Sequence, residues 1–130
     1  MQDLTIPVRN PTAQVASQAD VTLDRLSGDW VVVEGYGIAP GARIRIADGL
    51  FVLDGRPMPM VVERAGRLMV QGRPVWVHWL DVDNRTAALG DPNGSQVWIM
   101  DRTGKPGERR QAARDILAWY GYDLGRMQSE

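Results

Sequence analysis

The sequence lacks cysteine altogether and has one histidine and one lysine among its 130 residues. The absence of cysteine excludes a disulfide scaffold and any metal site built from thiolates. A single histidine, His78, cannot form a multi-histidine metal site, and few side chains suited to nucleophilic catalysis remain. Fifteen basic and sixteen acidic residues give a net charge of -1, which argues against a nucleic-acid partner. We therefore expect no metal, no cofactor and no nucleic acid.

Long hydrophobic runs are also missing, since no segment approaches the roughly 18 apolar residues of a membrane span. The chain has the length of one domain with a single core. Its first twenty residues are polar, contain two prolines and show no regular period. They also lack the basic start and apolar stretch of a secretory signal. We predict that residues 1–20 form a polar leader or tether and that residues 21–130 form the folded domain.

From residue 28 onward, short apolar runs alternate with turns that contain glycine. The runs predict eight strands, over residues 29–37, 42–47, 50–53, 58–64, 67–71, 74–81, 85–90 and 96–102. Asp48-Gly49 and Asp54-Gly55 are typical of tight hairpins, which need residues with positive φ. Because the loops are short, consecutive strands should be antiparallel neighbours. The pattern therefore predicts an all-β fold, an eight-stranded antiparallel up-and-down barrel.

Alternation within the strands assigns one set of side chains to the barrel interior. Ile44 and Ile46, for example, alternate with two arginines. The interior set is Ile44, Ile46, Met58, Met60, Leu68 and Val70. All six are apolar, so they either line a ligand cavity or fill a small core. The alternation requires no inward arginine or tyrosine, which favours a neutral hydrophobic ligand over one with an anionic head group.

Aromatic residues add two candidates for ligand contact. Tyr36 ends the first strand near the expected open mouth of the barrel. Alternation places Trp76 and His78 on one face of their strand and Trp79 on the other. At least one of the two indoles should therefore lie inside, and we include Trp79 among the ligand-lining candidates. His78 is expected to be a hydrogen-bonded structural residue.

The period changes to that of a helix after Gly104. Pro106 suits the first helical position, and Gly121 suits a left-handed cap at the end. An apolar stripe at helical spacing should pack on the barrel wall, and it consists of Ala112, Ala113, Ile116, Leu117 and Tyr120. Three arginines at positions 109, 110 and 114 fit either a solvated face or contact with anionic lipid head groups.

Charged residues give little sign of catalysis. Four aspartates lie in the region of the last three strands: Asp81, Asp83, Asp91 and Asp101. Turn and salt-bridge roles are enough to account for them. The sequence does not decide the orientation of Glu34, which either points inward and pairs with Arg102 or points outward into solvent. We expect no catalytic residue and no enzymatic activity.

Several short motifs, taken in order, resemble the lipocalin family. GDW at residues 28–30 is similar to the family's G-x-W signature. WLDVDNRTAALG at residues 79–90, VWIMDRT at residues 97–103 and YGYDL at residues 120–124 resemble the closing half of bacterial outer-membrane lipocalins, relatives of apolipoprotein D. The likeness is sharp only at these two ends of the chain.

The resemblance implies a structural role for three residues. Gly28 and Trp30 would form the closed end of the barrel, with Arg102 lying across that end near the indole. It also implies that the barrel binds or carries a small hydrophobic, lipid-like molecule. The implied location is the bacterial periplasm or outer membrane, with a tether through a lipoprotein signal removed from the N-terminus. We expect a monomer or a weak homodimer.

The short chain limits this expectation. Only 101 residues run from Trp30 to the end of the sequence, fewer than family members usually have. An alternative is therefore a lipocalin-like domain with a side-chain-filled barrel that acts as a structural or protein-interaction module.

Overall fold

The computed structural model describes residues 6–129, which form nine strands, two α-helices and a short 3-10 helix at Leu124–Arg126. The helices are α1 (Leu23–Leu26) and α2 (Arg109–Trp119). The strands are β1 (Gly28–Tyr36), β2 (Arg43–Ala47), β3 (Leu50–Leu53), β4 (Arg56–Arg64), β5 (Arg67–Val70), β6 (Arg73–Leu80), β7 (Thr86–Gly90), β8 (Val97–Asp101) and β9 (Gln128–Ser129). The first eight strands match the eight predicted from sequence, with ends that differ by no more than two residues.

Pairing of neighbouring strands closes the sheet into a barrel. Each of β1 to β8 is antiparallel to the next, and β1 pairs with β2 on one side and with β8 on the other. The short β9 adds to β1 at Glu34 and Gly35. Helix α2 packs on the outside, against β6, β7 and β8. The predicted fold class, an eight-stranded antiparallel up-and-down barrel followed by one packed helix, is confirmed.

Two-residue turns with positive φ set the hairpins. In the β2–β3 turn, Asp48 and Gly49 have φ values of 54° and 74°. In the β3–β4 turn, Asp54 and Gly55 have values of 50° and 82°. Two successive residues with positive φ match the right-handed twist of the flanking strands. The Asp-Gly pairs in the sequence are therefore the local cause of these antiparallel connections.

The prolines of β4 coincide with a change of partner. Residues 56–59 pair with β3, and residues 60–64 pair with β5. The half that contains Pro57 and Pro59 therefore has a ladder partner on one side only, as expected for residues that cannot donate a hydrogen bond. Because β5 is only four residues long, this half of β4 borders the open end of the barrel.

Helix α2 begins later than the sequence predicts. Its first residue is Arg109, and the expectation that Pro106 opens the helix is wrong. Gly107 has a φ of 63°, which a right-handed helix does not allow. Ala113 and Leu117 carry the buried part of the predicted stripe, and Gly121 follows the helix with positive φ as expected. Within residues 6–129, no helix has both the length and the apolar character needed to cross a bilayer.

The N-terminal segment is bound to the barrel rather than free of it. Val8 is buried, and its backbone N–H donates to the Gly94 carbonyl at 2.9 Å. Further along, the Gln18 N–H donates to the Val77 carbonyl at 2.8 Å. Residues 6–20 therefore belong to the folded unit, which corrects the predicted leader. Its first five residues lie outside the described part of the chain.

Candidate ligand pocket at the barrel mouth

The closed end of the barrel is built around Trp30. This indole is buried, and its Nε1–H donates to the Leu26 carbonyl at 2.8 Å. The guanidinium carbon of Arg102 lies 3.6 Å from the ring centroid. Gly28 has a φ of 106°, and a Cβ there would lie 3.1 Å from the Arg102 guanidinium. The three residues thus take the arrangement implied by the family resemblance.

Apolar side chains fill the barrel directly above this floor. Ile44, Ile46, Met60 and Leu68 are all buried in the interior cluster that contains Trp30. Their inward orientation agrees with the alternation in the sequence. None of the four lines the cavity described next. They therefore belong to a packed core that occupies the lower barrel.

The opposite, open end contains a cavity of about 410 Å³. Its apolar lining is formed by Ile38, Phe51, Leu53, Met58, Val70, Val75 and Trp98. Its polar lining is formed by Arg56, Gln71, Arg73 and Gln96, with Gly37 beside them. We call this cavity the mouth pocket. Two of the predicted ligand-lining residues, Met58 and Val70, form part of it.

Two aromatic rings pack against each other in the lining of the mouth pocket. The rings of Phe51 and Trp98 meet edge to face, with centroids 6.2 Å apart and planes at 75°. Both side chains are buried, and the Trp98 Nε1–H points to the Met100 sulfur at 3.4 Å. Because this N–H is already occupied, the indole offers the cavity an apolar surface.

Two arginines lie on the interior side of the strands at the rim. Arg56 is opposite Leu53 on β3, which is opposite inward Ile44 on β2. Arg73 is opposite inward Val70 on β5. Residues directly opposite in a ladder share a face of the sheet. The alternation in the sequence requires no inward arginine, but the strand pairing places these two on the interior face.

Trp79 lies on the outside of the barrel, contrary to the prediction that it lines the interior. The pairing of β6 with β7 shifts between Val77 and Trp79, so that His78 is a bulged extra residue. Such an insertion reverses the alternation. Trp79 therefore packs in the outer cluster beneath α2, while Leu80 points inward. Trp76 is also outside the barrel interior, with the Arg67 guanidinium carbon 3.9 Å from its ring centroid.

Tyr36 is likewise an outer-face residue and does not line the mouth pocket. It packs against the outer cluster, and its hydroxyl accepts a hydrogen bond from Arg126 at 2.8 Å. The β1–β8 ladder shifts register between Val32 and Glu34, and this irregularity displaces the alternation along β1. Tyr36 therefore helps to dock the C-terminal segment.

His78 is held in a hydrogen-bonded network outside the barrel. Its Nδ1–H donates to the Ala16 carbonyl at 2.6 Å, and its Nε2 accepts from the Tyr122 hydroxyl at 2.8 Å. Burial lowers the pKa of His78 to about 4, against the opposing effect of the Ala16 carbonyl and with a smaller contribution from Arg9. His78 is therefore neutral at physiological pH and structural, as expected.

The arginines of α2 are partly exposed and form ion pairs with carboxylates of the barrel. The Arg110 Nε lies 2.9 Å from a carboxylate oxygen of Glu34, and Arg114 pairs with the other oxygen. Arg109 pairs with Asp81 at 2.7 Å. Glu34 is buried on the outer wall and pairs with α2, so neither an inward pairing with Arg102 nor a solvated position holds. These ion pairs fasten α2 to the barrel.

The aspartates near the last strands serve turns and ion pairs. Burial raises the pKa of Asp81, but hydrogen bonds from Thr86, Arg109 and Arg85 outweigh it and the net shift is downward. The pKa of Asp101 is also lowered overall, because hydrogen bonds from Thr86 and from the turn after β8 outweigh the effect of burial. Both carboxylates are thus ionised and fully engaged in local hydrogen bonds.

The strands predicted from alternation leave out the two arginines at the rim of the pocket, Arg56 and Arg73. The predicted strands began at Met58 and Pro74, whereas β4 and β6 begin at Arg56 and Arg73. Extending the alternation of Met58 and Met60 back by two residues would have placed Arg56 inside. Phe51 and Trp98 were missed because their strands are apolar on both faces, which leaves no alternation to read.

Comparison with known proteins finds a solved structure of similar fold. No family model matches the sequence, and no curated protein does either. Among solved structures, the chain is similar to the major allergen Per a 4 from cockroaches, with a TM-score of 0.59 and 11% identity. The match covers 92% of this chain and 94% of the allergen. At 11% identity the similarity supports a statement about the fold alone. Together with the closed eight-stranded barrel, it indicates a lipocalin-like fold.

Proposed function

We propose that the protein binds a small, largely apolar molecule in the mouth pocket. The observation that carries this proposal is the cavity of about 410 Å³ at the open end of a lipocalin-like barrel. Small-molecule sites are usually apolar concave pockets of roughly 300–1,000 Å³ with a few polar groups. Because Ile44, Ile46, Met60 and Leu68 fill the space below, the ligand is short and occupies only the upper barrel.

Nile red, a neutral dye whose fluorescence rises in apolar surroundings, provides the test. We expect it to bind the wild-type protein at micromolar concentration. Val70→Phe introduces a ring into the cavity and should weaken binding by about tenfold, a loss of about 1.4 kcal/mol. Circular dichroism melting curves check that the variant remains folded.

Val61→Phe is the matched control. Val61 is 63% exposed on the outer face of β4, so the same substitution there should leave dye binding unchanged. The proposal fails if wild-type protein does not bind the dye at micromolar concentration, or if Val70→Phe binds it as well as Val61→Phe does.

A second candidate function is that of a structural or protein-interaction module with a side-chain-filled barrel. The observation that favours it is Trp119, which is 76% exposed at the end of α2. An exposed indole is typical of protein contact surfaces. If the mouth pocket binds no apolar probe, this candidate becomes the better one, and Trp119→Ser should then weaken capture of a protein partner.

We also propose that the ligand is carried without being chemically changed. Asp81 and Asp101 are occupied by hydrogen bonds outside the mouth pocket, which supports this view. A hydrolytic activity that copurifies with the protein and disappears in the double variant Asp81→Asn with Asp83→Asn would contradict it.

For the cellular setting, we propose the bacterial envelope, in the periplasm or anchored at the outer membrane. The support is the sequence resemblance to bacterial outer-membrane lipocalins at the two ends of the chain. Fractionation of the native host, with antibody detection of the untagged protein, tests this. Recovery in the cytoplasmic fraction alone would overturn it.

A further inference from the structure

Two arginines at the mouth pocket have no protein partner among the described residues. Arg56 and Arg73 line the cavity and are exposed to solvent at its rim. Within residues 6–129, neither guanidinium forms an ion pair, and neither donates a side-chain hydrogen bond. Two positive charges therefore stand at the rim of a cavity whose apolar wall includes Phe51 and Trp98.

Most other arginines of the chain are occupied. Within the described residues, the guanidinium groups of ten of the fourteen contact a carbonyl, carboxylate, hydroxyl or aromatic ring. The other four are Arg43, Arg56, Arg64 and Arg73. Two of these four line the same cavity. The acid nearest to Arg56 in sequence, Asp54, accepts the Arg43 backbone N–H at 2.8 Å.

We propose that the mouth pocket selects small amphipathic anions. The apolar tail lies on Trp98 and Phe51, and the anionic head group lies between Arg56 and Arg73. Guanidinium groups bind carboxylate and sulfate oxygens through charge-assisted hydrogen bonds. This inference rests on the proposed function and names the ligand class for the same site.

Four probes with one common alkyl tail test the selectivity: decanoate, decyl sulfate, decanol and decyltrimethylammonium. Isothermal titration calorimetry should show both anions binding the wild-type protein about tenfold more tightly than decanol. The cation should bind more weakly than decanol. Added sodium chloride should weaken the anions and leave decanol unchanged, because the rim charges are exposed and are screened by salt.

Two double variants separate charge at the pocket from charge elsewhere. Arg56→Gln with Arg73→Gln should lose the tenfold preference for anions while retaining affinity for decanol. Arg43→Gln with Arg64→Gln removes the same charge outside the mouth pocket and should keep the preference. An equal loss in both double variants would overturn the proposal.

The outcomes also distinguish this inference from the proposed function. If wild-type protein binds decanol and the anions equally, the anion selectivity is wrong while binding at the mouth pocket stands. If neither decanol nor any anion binds, the proposed function itself fails. Melting curves for both double variants verify that these exposed substitutions leave the fold intact.

Discussion

The guanidinium carbon of Arg102 lies 3.6 Å from the centroid of the Trp30 ring. The same group donates to the backbone carbonyls of Ser27 at 2.7 Å, Arg25 at 2.9 Å and Asn84 at 2.9 Å. One side chain therefore links the end of α1, the start of β1 and the loop after β6. This arrangement closes the barrel floor through packing and hydrogen bonds.

Replacing Arg102 with alanine should lower the free energy of unfolding by about 1–3 kcal/mol. The loss combines the cation–π contact with three hydrogen bonds, of which those to Arg25 and Asn84 are partly buried. Urea unfolding followed by circular dichroism measures it. Arg45→Ala is a suitable comparison, because Arg45 forms only an exposed ion pair with Asp29, which is worth less than about 1 kcal/mol. Equal unfolding midpoints for the two variants would contradict the role assigned to Arg102.

The pairing of Glu34 with α2 leads to a second prediction. Glu34→Gln removes a buried charge that holds Arg110 and Arg114. The substitution keeps the shape of the side chain but leaves both guanidiniums without their carboxylate. We expect a loss of about 1–3 kcal/mol in unfolding free energy. Hydrogen exchange should rise mainly in α2.

Asp115→Asn provides the control for this helix. Asp115 is exposed and accepts a hydrogen bond only from Gln111, one turn earlier. Its substitution should change stability by less than about 0.5 kcal/mol. If both variants show the same exchange in α2, Glu34 does not fasten the helix.

Much of the fold could be predicted from the sequence because hairpin turns and alternation are local signals. Asp48-Gly49 and Asp54-Gly55 define turns without help from the rest of the chain. Bulges have no comparable signal. The extra residue at His78 reverses the face of Trp79, and only pairing with β7 and packing beneath α2 reveal it.

The candidate site was harder to predict than the fold for a related reason. Met58 and Val70 follow from alternation, whereas Arg56 and Arg73 stand at the first position of their strands. Strand ends are where sequence assignments are least reliable. A charged residue next to a turn is also ordinarily solvated, so only the closed barrel shows that these two border a cavity.

Acidification should destabilise the protein through His78. Its pKa is about 4 in the folded chain and about 6.5 when unfolded. Below pH 6.5 the unfolded state therefore takes up a proton that the folded state does not. Above that pH, His78 does not lower the free energy of unfolding. As the pH approaches 4, the free energy of unfolding should fall by up to about 3 kcal/mol. Urea unfolding from about pH 7.5 to about pH 4.5 measures the slope.

His78→Gln isolates this effect, since the chain has no other histidine. The variant should lose most of the slope in that pH range. Asp81 and Asp101 act at lower pH, because their pKa values in the folded state are below the ordinary value of 3.8. The assignment is wrong if the variant keeps the wild-type slope, or if nuclear magnetic resonance shows His78 titrating near pH 6.5.

Arg9 tests whether the N-terminal segment is part of the folded unit. Its side chain is buried and donates to the carbonyls of Tyr120, Pro92 and Ala13 at 2.8, 3.1 and 2.6 Å. Arg9→Ala leaves these carbonyls without their donor, so we expect a loss of about 2–4 kcal/mol in unfolding free energy. Gln14→Ala, at an exposed position of the same segment, should be nearly neutral. A free tether would instead make both substitutions neutral in urea unfolding.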